Sequence, residues 1–185
     1  MKKLKTILIF FLFLGVTSCK EDKKIIEKNP VDAGISTFYF IRHAEKERGD
    51  PENVDPELNQ DGLGRAMHWA EILIDVELDA VYSTDYARTA MTAAATSVKK
   101  DVDVEYYDPQ TIDIEQFKAD NLNKNVLVVG HSNTTPDFVN SMIGEDKYYA
   151  MDDDDNGSLF IVQIVNGIAT SQQLHINCNC PDERE

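Results

Sequence analysis

The stretch TFYFIRHAEKERGD, residues 37 to 50, joins a strand pattern to two charged or titratable side chains. Thr37 to Arg42 is rich in aromatic and β-branched residues, which fit a pleated, buried surface, so this run predicts a buried strand. The strand ends abruptly at Arg42 and His43, whose burial is costly unless they have partners. Their position therefore requires a functional explanation.

Further strands and helices are predicted along the rest of the chain. The strands are Ala80 to Ser83, Val102 to Tyr107, Val126 to Gly130, Leu159 to Val165 and Ala169 to Ile176. The helices are Leu58 to Ile74, Asp85 to Val98 with Asp85 as its N-cap, and shorter ones near Ile114 to Asp120 and Pro136 to Met142. The first helix has an apolar stripe of Leu63, Ala66, Met67, Ala70, Leu73 and Ile74.

The alternation of strands and helices predicts an α/β domain, a three-layer α/β/α sandwich with a mostly parallel sheet. The last two strands flank Asn166-Gly167, a pair that favours a two-residue hairpin turn, so we expect an antiparallel hairpin at one edge of the sheet. A chain of 185 residues with 42% hydrophobic residues suits one core. We place this single domain at residues 37 to 177.

Residues 1 to 18 have the pattern of a signal peptide, with lysines before a short apolar run. That run is about half of the roughly 20 residues that a membrane-spanning helix needs. VTSC, residues 16 to 19, resembles the lipobox of bacterial lipoproteins, which implies cleavage before Cys19, lipidation of its thiol and anchoring in the cell envelope outside the cytoplasm. A secreted protein cut elsewhere is the alternative. Residues 19 to 36 are charged and lack an apolar period, so we interpret them as a flexible tether after the lipidated cysteine.

The net charge, the tail cysteines and an acidic segment each limit what the protein can bind or do. The chain has 33 acidic residues against 18 Lys and Arg, a net charge of −15, which repels polyanions and argues against nucleic-acid binding. Cys178 and Cys180 lie in the tail, residues 178 to 185, where we expect no catalytic role; an intermolecular disulfide is the alternative. MDDDDNGS, residues 151 to 158, lacks the distal Glu of a Ca²⁺ loop and is predicted to be a solvated acidic loop.

Three of the predicted strand ends carry polar or titratable groups. These are Arg42-His43, the segment STDYARTA at residues 83 to 90 with Arg88, and the segment GHSNTT at residues 130 to 135 with His131. The carboxyl ends of parallel strands meet at one crevice, so these groups are expected to converge. Arginine offers a fork of donors that suits phosphate oxygens, and a neutral histidine beside such cations is a competent nucleophile toward phosphorus. The combination indicates phosphoryl transfer.

RHAEK (42–46), YSTDYARTAMTA (82–93) and VLVVGHSN (126–133) together resemble the histidine phosphatase superfamily, also called phosphoglycerate-mutase-like. The resemblance covers Phe38 to Val165, and ELNQDGLGRA (57–66) resembles the helix opening that follows the first motif. It implies that His43 attacks phosphorus and becomes a phosphohistidine, which water then hydrolyses. It also implies that Arg42, Arg88 and His131 hold the phosphoryl oxygens.

The general acid that protonates the leaving group stays open. One branch of the superfamily has Asp directly after the second catalytic His, where this chain has Ser132, so the chain resembles the other branch, whose acid follows the third strand. Asp108 stands at that strand end, Glu45 is an alternative, and a phosphoramidate substrate would need no protein acid. Lys46 adds a positive charge suited to a second anionic group, although a solvated lysine is equally consistent. We group Glu45, Lys46 and Ser132 as candidate substrate contacts.

The sequence thus predicts a phosphatase acting on a phosphorylated small molecule or phosphoprotein, without a metal or organic cofactor. The short segment between Asp108 and Val126 favours hydrolysis over a mutase cycle, which must exclude water. A phosphate-binding lipoprotein without turnover is the alternative. A metallohydrolase using His43, Glu45 and His131 is disfavoured because a cation site would not place Arg42 beside its ligand. His68 and His175 are expected to be structural.

Overall fold

A computed structural model describes residues 34–176. The predicted signal peptide, Cys19, most of the tether and the tail with Cys178 and Cys180 lie outside the described residues. The strands are β1 (Ile35–Arg42), β2 (Ala80–Ser83), β3 (Val104–Tyr106), β4 (Asn125–Gly130), β5 (Ser158–Val165) and β6 (Ile168–His175). The helices are α1 (Gln60–Ile72), α2 (Ala87–Lys100), α3 (Ile114–Asp120) and α4 (Thr134–Ile143).

The six strands form one mixed sheet in the order β3-β2-β4-β1-β5-β6. Strands β3, β2, β4 and β1 are parallel to one another, whereas β5 and β6 run antiparallel to their neighbours. The β5–β6 hairpin turns at Asn166 (φ 53°) and Gly167 (φ 78°), a pair of left-handed residues that a two-residue turn requires. The predicted parallel sheet with an antiparallel edge hairpin is confirmed.

The two faces of β1 account for the three layers, because alternate side chains of a strand point to opposite sides. Phe38 and Phe40 belong to one buried cluster, which includes Phe117 of α3 and Phe138 of α4. Ile41 belongs to a second cluster, which includes residues of α1 and α2. The sheet is therefore covered on both faces by helices, as the α/β/α prediction requires. Within residues 34–176, no helix is long and apolar enough to span a bilayer.

The buried face of α1 differs from the predicted stripe. Met67 is 67% exposed, whereas Trp69 is 1% exposed and packs with Leu73 against the sheet. Ala66 and Ala70 are buried as predicted, so the core-facing side is rotated by part of a turn toward Trp69. The large apolar area of Trp69 determines this rotation, since burying it stabilises the helix more than burying the smaller Met67 would.

Candidate active site

Strand register brings the three motifs together at one end of the sheet. Arg42 of β1 lies opposite Gly130 of β4, and the His43 amide donates to the Gly130 carbonyl at 2.9 Å. Strand β4 lies between β1 and β2 in the sheet, and the three strands are parallel. The residues that follow these strands therefore lie at the same end of the sheet. His43 and His131 therefore lie side by side, with ring centroids 5.7 Å apart.

A cleft of about 370 Å³ opens at this end of the sheet. Its walls include seven of the predicted site residues: Arg42, His43, Lys46, Arg88, Asp108, His131 and Ser132. Tyr86, Pro109, Gln110, Asn133, Thr134 and Asp153 complete the lining. Glu45 is the one predicted site residue of the described chain that does not line the cleft.

His43 is held as a neutral ring with a fixed tautomer. The ring is 4% exposed, and its Nδ1 lies 2.8 Å from the Ala44 carbonyl oxygen, which can only accept a hydrogen bond. Nδ1 therefore carries the proton, and Nε2 keeps its lone pair. Burial lowers the pKa of His43 to about 3, and the nearby positive charges of Arg42 and Arg88 act in the same direction.

The backbone on both sides of His43 is anchored from elsewhere in the fold. The Asn156 side chain donates to the His43 carbonyl at 2.8 Å, and the Ala44 amide donates to the Thr92 hydroxyl at 3.0 Å. These bonds join β1 to the loop before β5 and to α2. They restrict the position of the imidazole, as a nucleophile requires.

Arg42 is 2% exposed and lies against the acidic loop, residues 151–158. Its Nη1 donates to the carbonyl oxygens of Asp152 at 2.8 Å and Asp155 at 3.1 Å, and its Nη2 donates to the Asp153 carboxylate at 3.1 Å. The buried Nε has no partner among the described residues. The prediction of a merely solvated loop is thus wrong in one respect: its backbone forms the support of Arg42.

Arg88 is positioned by a residue that the sequence analysis missed. Asp55 accepts from Arg88 Nη1 at 3.3 Å, and both of its oxygens accept from the Ala87 amide at 3.0 and 3.1 Å. Asp55 therefore caps α2 from a distant loop, and the prediction of Asp85 as the N-cap is wrong. The Arg88 guanidinium also stacks over the Tyr86 ring, 4.5 Å from its centroid. Arg88 Nε is buried without a partner in the described part of the chain.

His131 is the second neutral histidine. Its Nε2 lies 2.9 Å from the Thr84 hydroxyl, which donates in turn to Thr89 at 3.0 Å. Burial lowers the pKa of His131 to about 4, with further contributions from the charges of Arg88 and Arg42. Gly130 has no room for a side chain, because a Cβ there would lie 2.7 Å from the Thr135 hydroxyl. This glycine allows β4 to approach α4 closely.

The two candidate acids have different surroundings. Glu45 accepts from Arg65 Nε with both oxygens, at 2.7 and 2.9 Å, and points to α1 rather than to the cleft. The exposed Asp108 lies in the cleft wall and accepts from the Gln110 amide at 2.9 Å and from the Thr111 hydroxyl at 3.2 Å. Asp108 is thus the predicted acid that lies within reach of a bound ligand.

The remaining predicted residues occupy the rim or the surface. Lys46 and Ser132 line the cleft, and the Ser132 carbonyl accepts from the Met151 amide at 2.8 Å. His68 is exposed on α1, and His175 lies 3.5 Å from Asp155 at the end of β6. Residues 34–176 contain no group of three or more His, Cys, Asp or Glu side chains that could hold a metal ion.

The geometry suits a tetrahedral oxyanion. Arg42 and Arg88 each have a buried N–H without a partner among the described residues, and the two neutral imidazoles line the same cleft. Charge-assisted hydrogen bonds from such donors are strong when water is excluded. The cleft can therefore hold a phosphoryl group beside a nitrogen nucleophile.

Comparisons with known proteins give a family match over part of the chain. Residues 38–109 match the model described as "Histidine phosphatase superfamily (branch 1)". No curated protein matches the chain by sequence.

Solved structures share the fold. SixA from Nakamurella multipartitia, a candidate phosphohistidine phosphatase, is 22% identical, with a TM-score of 0.57 over 78% of this chain and 98% of its own. The protein histidine phosphatase SixA, solved with tungstate, is 15% identical, with a TM-score of 0.59 over 75% of this chain and 96% of its own. Phosphoglycerate mutase from Bacillus anthracis is 17% identical, with a TM-score of 0.56 over 77% and 94%. Residues 38–109 thus resemble the histidine phosphatase superfamily (branch 1) in sequence, and the chain shares its fold with the solved structures above.

Proposed function

We propose that this protein is a phosphatase that hydrolyses a phosphomonoester or a phosphoramidate through a phosphohistidine on His43. The observation that carries the proposal is the neutral His43 ring, whose Nδ1 proton is fixed by Ala44, in a cleft shared with Arg42 and Arg88. A neutral imidazole with a free Nε2 can attack phosphorus without first losing a proton. The two guanidinium groups neutralise charge on the phosphoryl oxygens.

The reaction has two displacements at phosphorus. In the first, His43 Nε2 forms a P–N bond while the bond from phosphorus to the leaving oxygen or nitrogen breaks, and the leaving group takes up a proton. In the second, water attacks the phosphohistidine and gives one proton to the group that protonated the leaving group. The P–N bond breaks, and hydrogen phosphate leaves with neutral His43 restored. Arg42 and Arg88 would bind the oxygens in both steps, so positioning and charge supply most of the rate. His131 would join them in its protonated form, because the neutral ring uses its Nε2 proton on Thr84 and a bound phosphoryl anion favours the charged form.

Asp108 is our candidate for the proton donor. It lies in the cleft wall at the carboxyl end of β3, on the rim where a leaving group would emerge. Its carboxylate also caps a local turn, where each oxygen accepts one hydrogen bond and keeps a lone pair for a proton. The leaving nitrogen of a phosphoramidate is basic enough to take up a proton from solvent before the P–N bond breaks. Such a substrate therefore depends less on an acid of the protein. Asp108→Asn should therefore slow esters more than phosphoramidates.

Hydrolysis is favoured over mutase chemistry by the cover of the cleft. Between β3 and β4 the described chain contains one helix, α3, of seven residues. A mutase must keep water away while its intermediate reorients. A single helix of seven residues covers the cleft too little for that. The proposed substrate is a phosphorylated small molecule or phosphoprotein.

The test compares the protein with His43→Ala on an aryl phosphate from about pH 5 to 8, with samples quenched to detect acid-labile, base-stable phosphate on the chain. We expect turnover and a trapped intermediate in the wild type alone, with the surface variant His68→Ala as the control. Retention of turnover in His43→Ala would exclude His43 as the nucleophile. Phosphate binding without turnover of an ester or a phosphoramidate would instead support a phosphate-binding lipoprotein.

We also propose that the protein acts in the cell envelope, held outside the cytoplasm by a lipid on Cys19. The support is the sequence alone: lysines, an apolar run and VTSC at residues 16 to 19. Acyl chains anchor a protein by burial of about 0.8 kcal/mol per CH₂. Cys19→Ala should abolish incorporation of labelled palmitate and release the protein from membranes, whereas Cys180→Ala should change neither. Persistent labelling of Cys19→Ala would contradict the lipidation site.

A further inference from the structure

The acidic loop supplies one carboxylate to the candidate phosphate site. Asp153 lines the cleft, and its Oδ1 accepts from Arg42 Nη2 at 3.1 Å. This is the guanidinium that the proposed function assigns to a phosphoryl group. A phosphoryl group that takes two donors from Arg42 would bind the unpartnered Nε and the neighbouring Nη2. The Asp153 carboxylate occupies Nη2, so the two compete for that donor.

Arg42 does not depend on Asp153 for its position. Two backbone carbonyls, those of Asp152 and Asp155, hold its Nη1. The loop itself is anchored, because the Asp155 carboxylate accepts from the Ser158 amide at 3.0 Å and from the Ser158 hydroxyl at 2.7 Å. The guanidinium would therefore stay in place if the Asp153 side chain moved away.

Asp153 differs in its contacts from the other acids around the site. Asp55 caps α2 as well as pairing with Arg88, and Asp155 binds backbone amides of its own loop. Within residues 34–176, the Asp153 carboxylate has hydrogen-bond donors only on Arg42 and Arg48, at 3.1 and 2.5 Å. Its side chain is 71% exposed. No backbone or core contact of this side chain would be lost on rotation.

Arg48 offers a second position for the same carboxylate. Arg48 is 56% exposed, lies outside the cleft lining and also donates to the Asp153 carbonyl at 3.2 Å. The hydrogen bond from Arg48 is the largest cause that lowers the pKa of Asp153 to about 2, so the carboxylate stays charged at neutral pH. Asp153 can thus release Arg42 and remain paired with Arg48.

We propose that Asp153 is an intramolecular competitor of phosphate, which occupies Arg42 in the ligand-free site and weakens the binding of the product phosphate. The inference rests on the proposed function, because it takes Arg42 as a phosphoryl-binding group. Substrate displaces the carboxylate when it binds. As phosphate leaves, the carboxylate returns to Arg42 and opposes rebinding, so the site is less prone to product inhibition.

The test measures the binding of inorganic phosphate to the purified full-length protein by titration calorimetry, together with inhibition of aryl phosphate turnover by phosphate. Asp153→Asn should lower both the Kd and the inhibition constant of phosphate by about three- to tenfold. This is the scale expected when an exposed carboxylate no longer pairs with Arg42 and no longer repels phosphate. Asp153→Ala should act in the same direction. Loss of a merely structural contact would weaken binding, not tighten it.

Asp154→Asn is the matched control. It removes the same charge one residue away, from an exposed side chain that has no hydrogen bond or ion pair with the described residues. Its phosphate Kd should stay within about twofold of the wild type. An unchanged or higher Kd in both Asp153 variants, or tightening in Asp154→Asn as strong as in Asp153→Asn, would overturn the proposal.

The binding and kinetic readouts separate this inference from the proposed function. Phosphate that binds without turnover of any substrate contradicts the phosphatase proposal, while the comparison of Kd values still tests Asp153. Turnover with no tightening in the Asp153 variants contradicts the competitor and leaves the phosphatase intact. Failure of all variants to bind phosphate would contradict both.

Discussion

Acidification should destabilise the ligand-free protein through its two buried histidines. The pKa of His43 is lowered from 6.5 to about 3, and that of His131 from 6.5 to about 4, in both cases mainly by burial. At pH values between the folded-state pKa and 6.5, these histidines are protonated in the unfolded chain and neutral in the folded protein. The stabilising contribution is therefore complete above about pH 6.5 and is lost as the pH falls toward 4 or 3.

The magnitude follows from the width of this window. Each unfolded imidazole is about one-quarter protonated at pH 7 and almost fully protonated at pH 5. One extra bound proton changes the unfolding free energy by about 1.4 kcal/mol per pH unit. Each histidine should thus cost about 2 kcal/mol of unfolding free energy, and the pair about 4 kcal/mol. This is a large fraction of the stability of a domain of this size.

Urea unfolding in phosphate-free buffer at pH 5, 6, 7 and 8 measures the effect. Carboxylates also titrate near pH 5, so the informative quantity is the slope difference between the wild type and His43→Asn or His131→Asn. Each variant should lose about 2 kcal/mol less than the wild type between pH 7 and 5, and the exposed His68→Asn should follow the wild type. Parallel curves for all four proteins would refute the claim that the site holds neutral imidazoles.

Substitutions at Arg88, Gly62 and Asp55 test the scaffold of the site, with Gly64 as a control position. Arg88→Ala should weaken phosphate binding by about ten- to a hundredfold, the value of charged hydrogen bonds, and unchanged affinity would contradict its role. Gly62→Ala should destabilise the protein by about 1–3 kcal/mol because a Cβ there lies 2.1 Å from the Glu45 carbonyl oxygen, whereas Gly64→Ala meets nothing within 4 Å and should not destabilise it. In urea unfolding, Asp55→Ala should cost about 1–2 kcal/mol and Asp55→Asn about half of that, since Asn also caps helices; equal losses would assign the effect to the ion pair.

The strands and the site-forming motifs could be predicted from sequence because each has a local signal. All six strands were expected within about two residues of their observed ends, since aromatic and β-branched runs end at turn residues. His43, Arg88 and His131 follow or closely follow strand ends, and parallel pairing brings such ends together. The boundary of β3 was less accurate, because its three residues pair with β2 alone.

The contacts between loops could not be predicted in the same way. Asp55 caps a helix that begins 32 positions later, and Arg65 binds the Glu45 carboxylate across 20 positions, and neither pairing has a periodic pattern. The composition of the acidic loop predicts a solvated segment because it shows the charge of the side chains. It does not show that backbone carbonyls of the loop accept hydrogen bonds from Arg42. Trp69 is not part of the predicted α1 stripe, because a stripe of smaller apolar residues already satisfies the helical period.

The parts of the cleft are far apart along the chain, and this has a consequence for folding. Arg42 contacts Asp152 across 110 positions, and Thr84 contacts His131 across 47. Such non-local contacts require long loops to close before they stabilise the fold, and this slows folding. A chain stopped before β5 would lack the carbonyls that hold Arg42, however well its first four strands had paired. A phosphate bound at the proposed site would therefore add its binding free energy to the completed domain alone and would shift the folding equilibrium toward the native state.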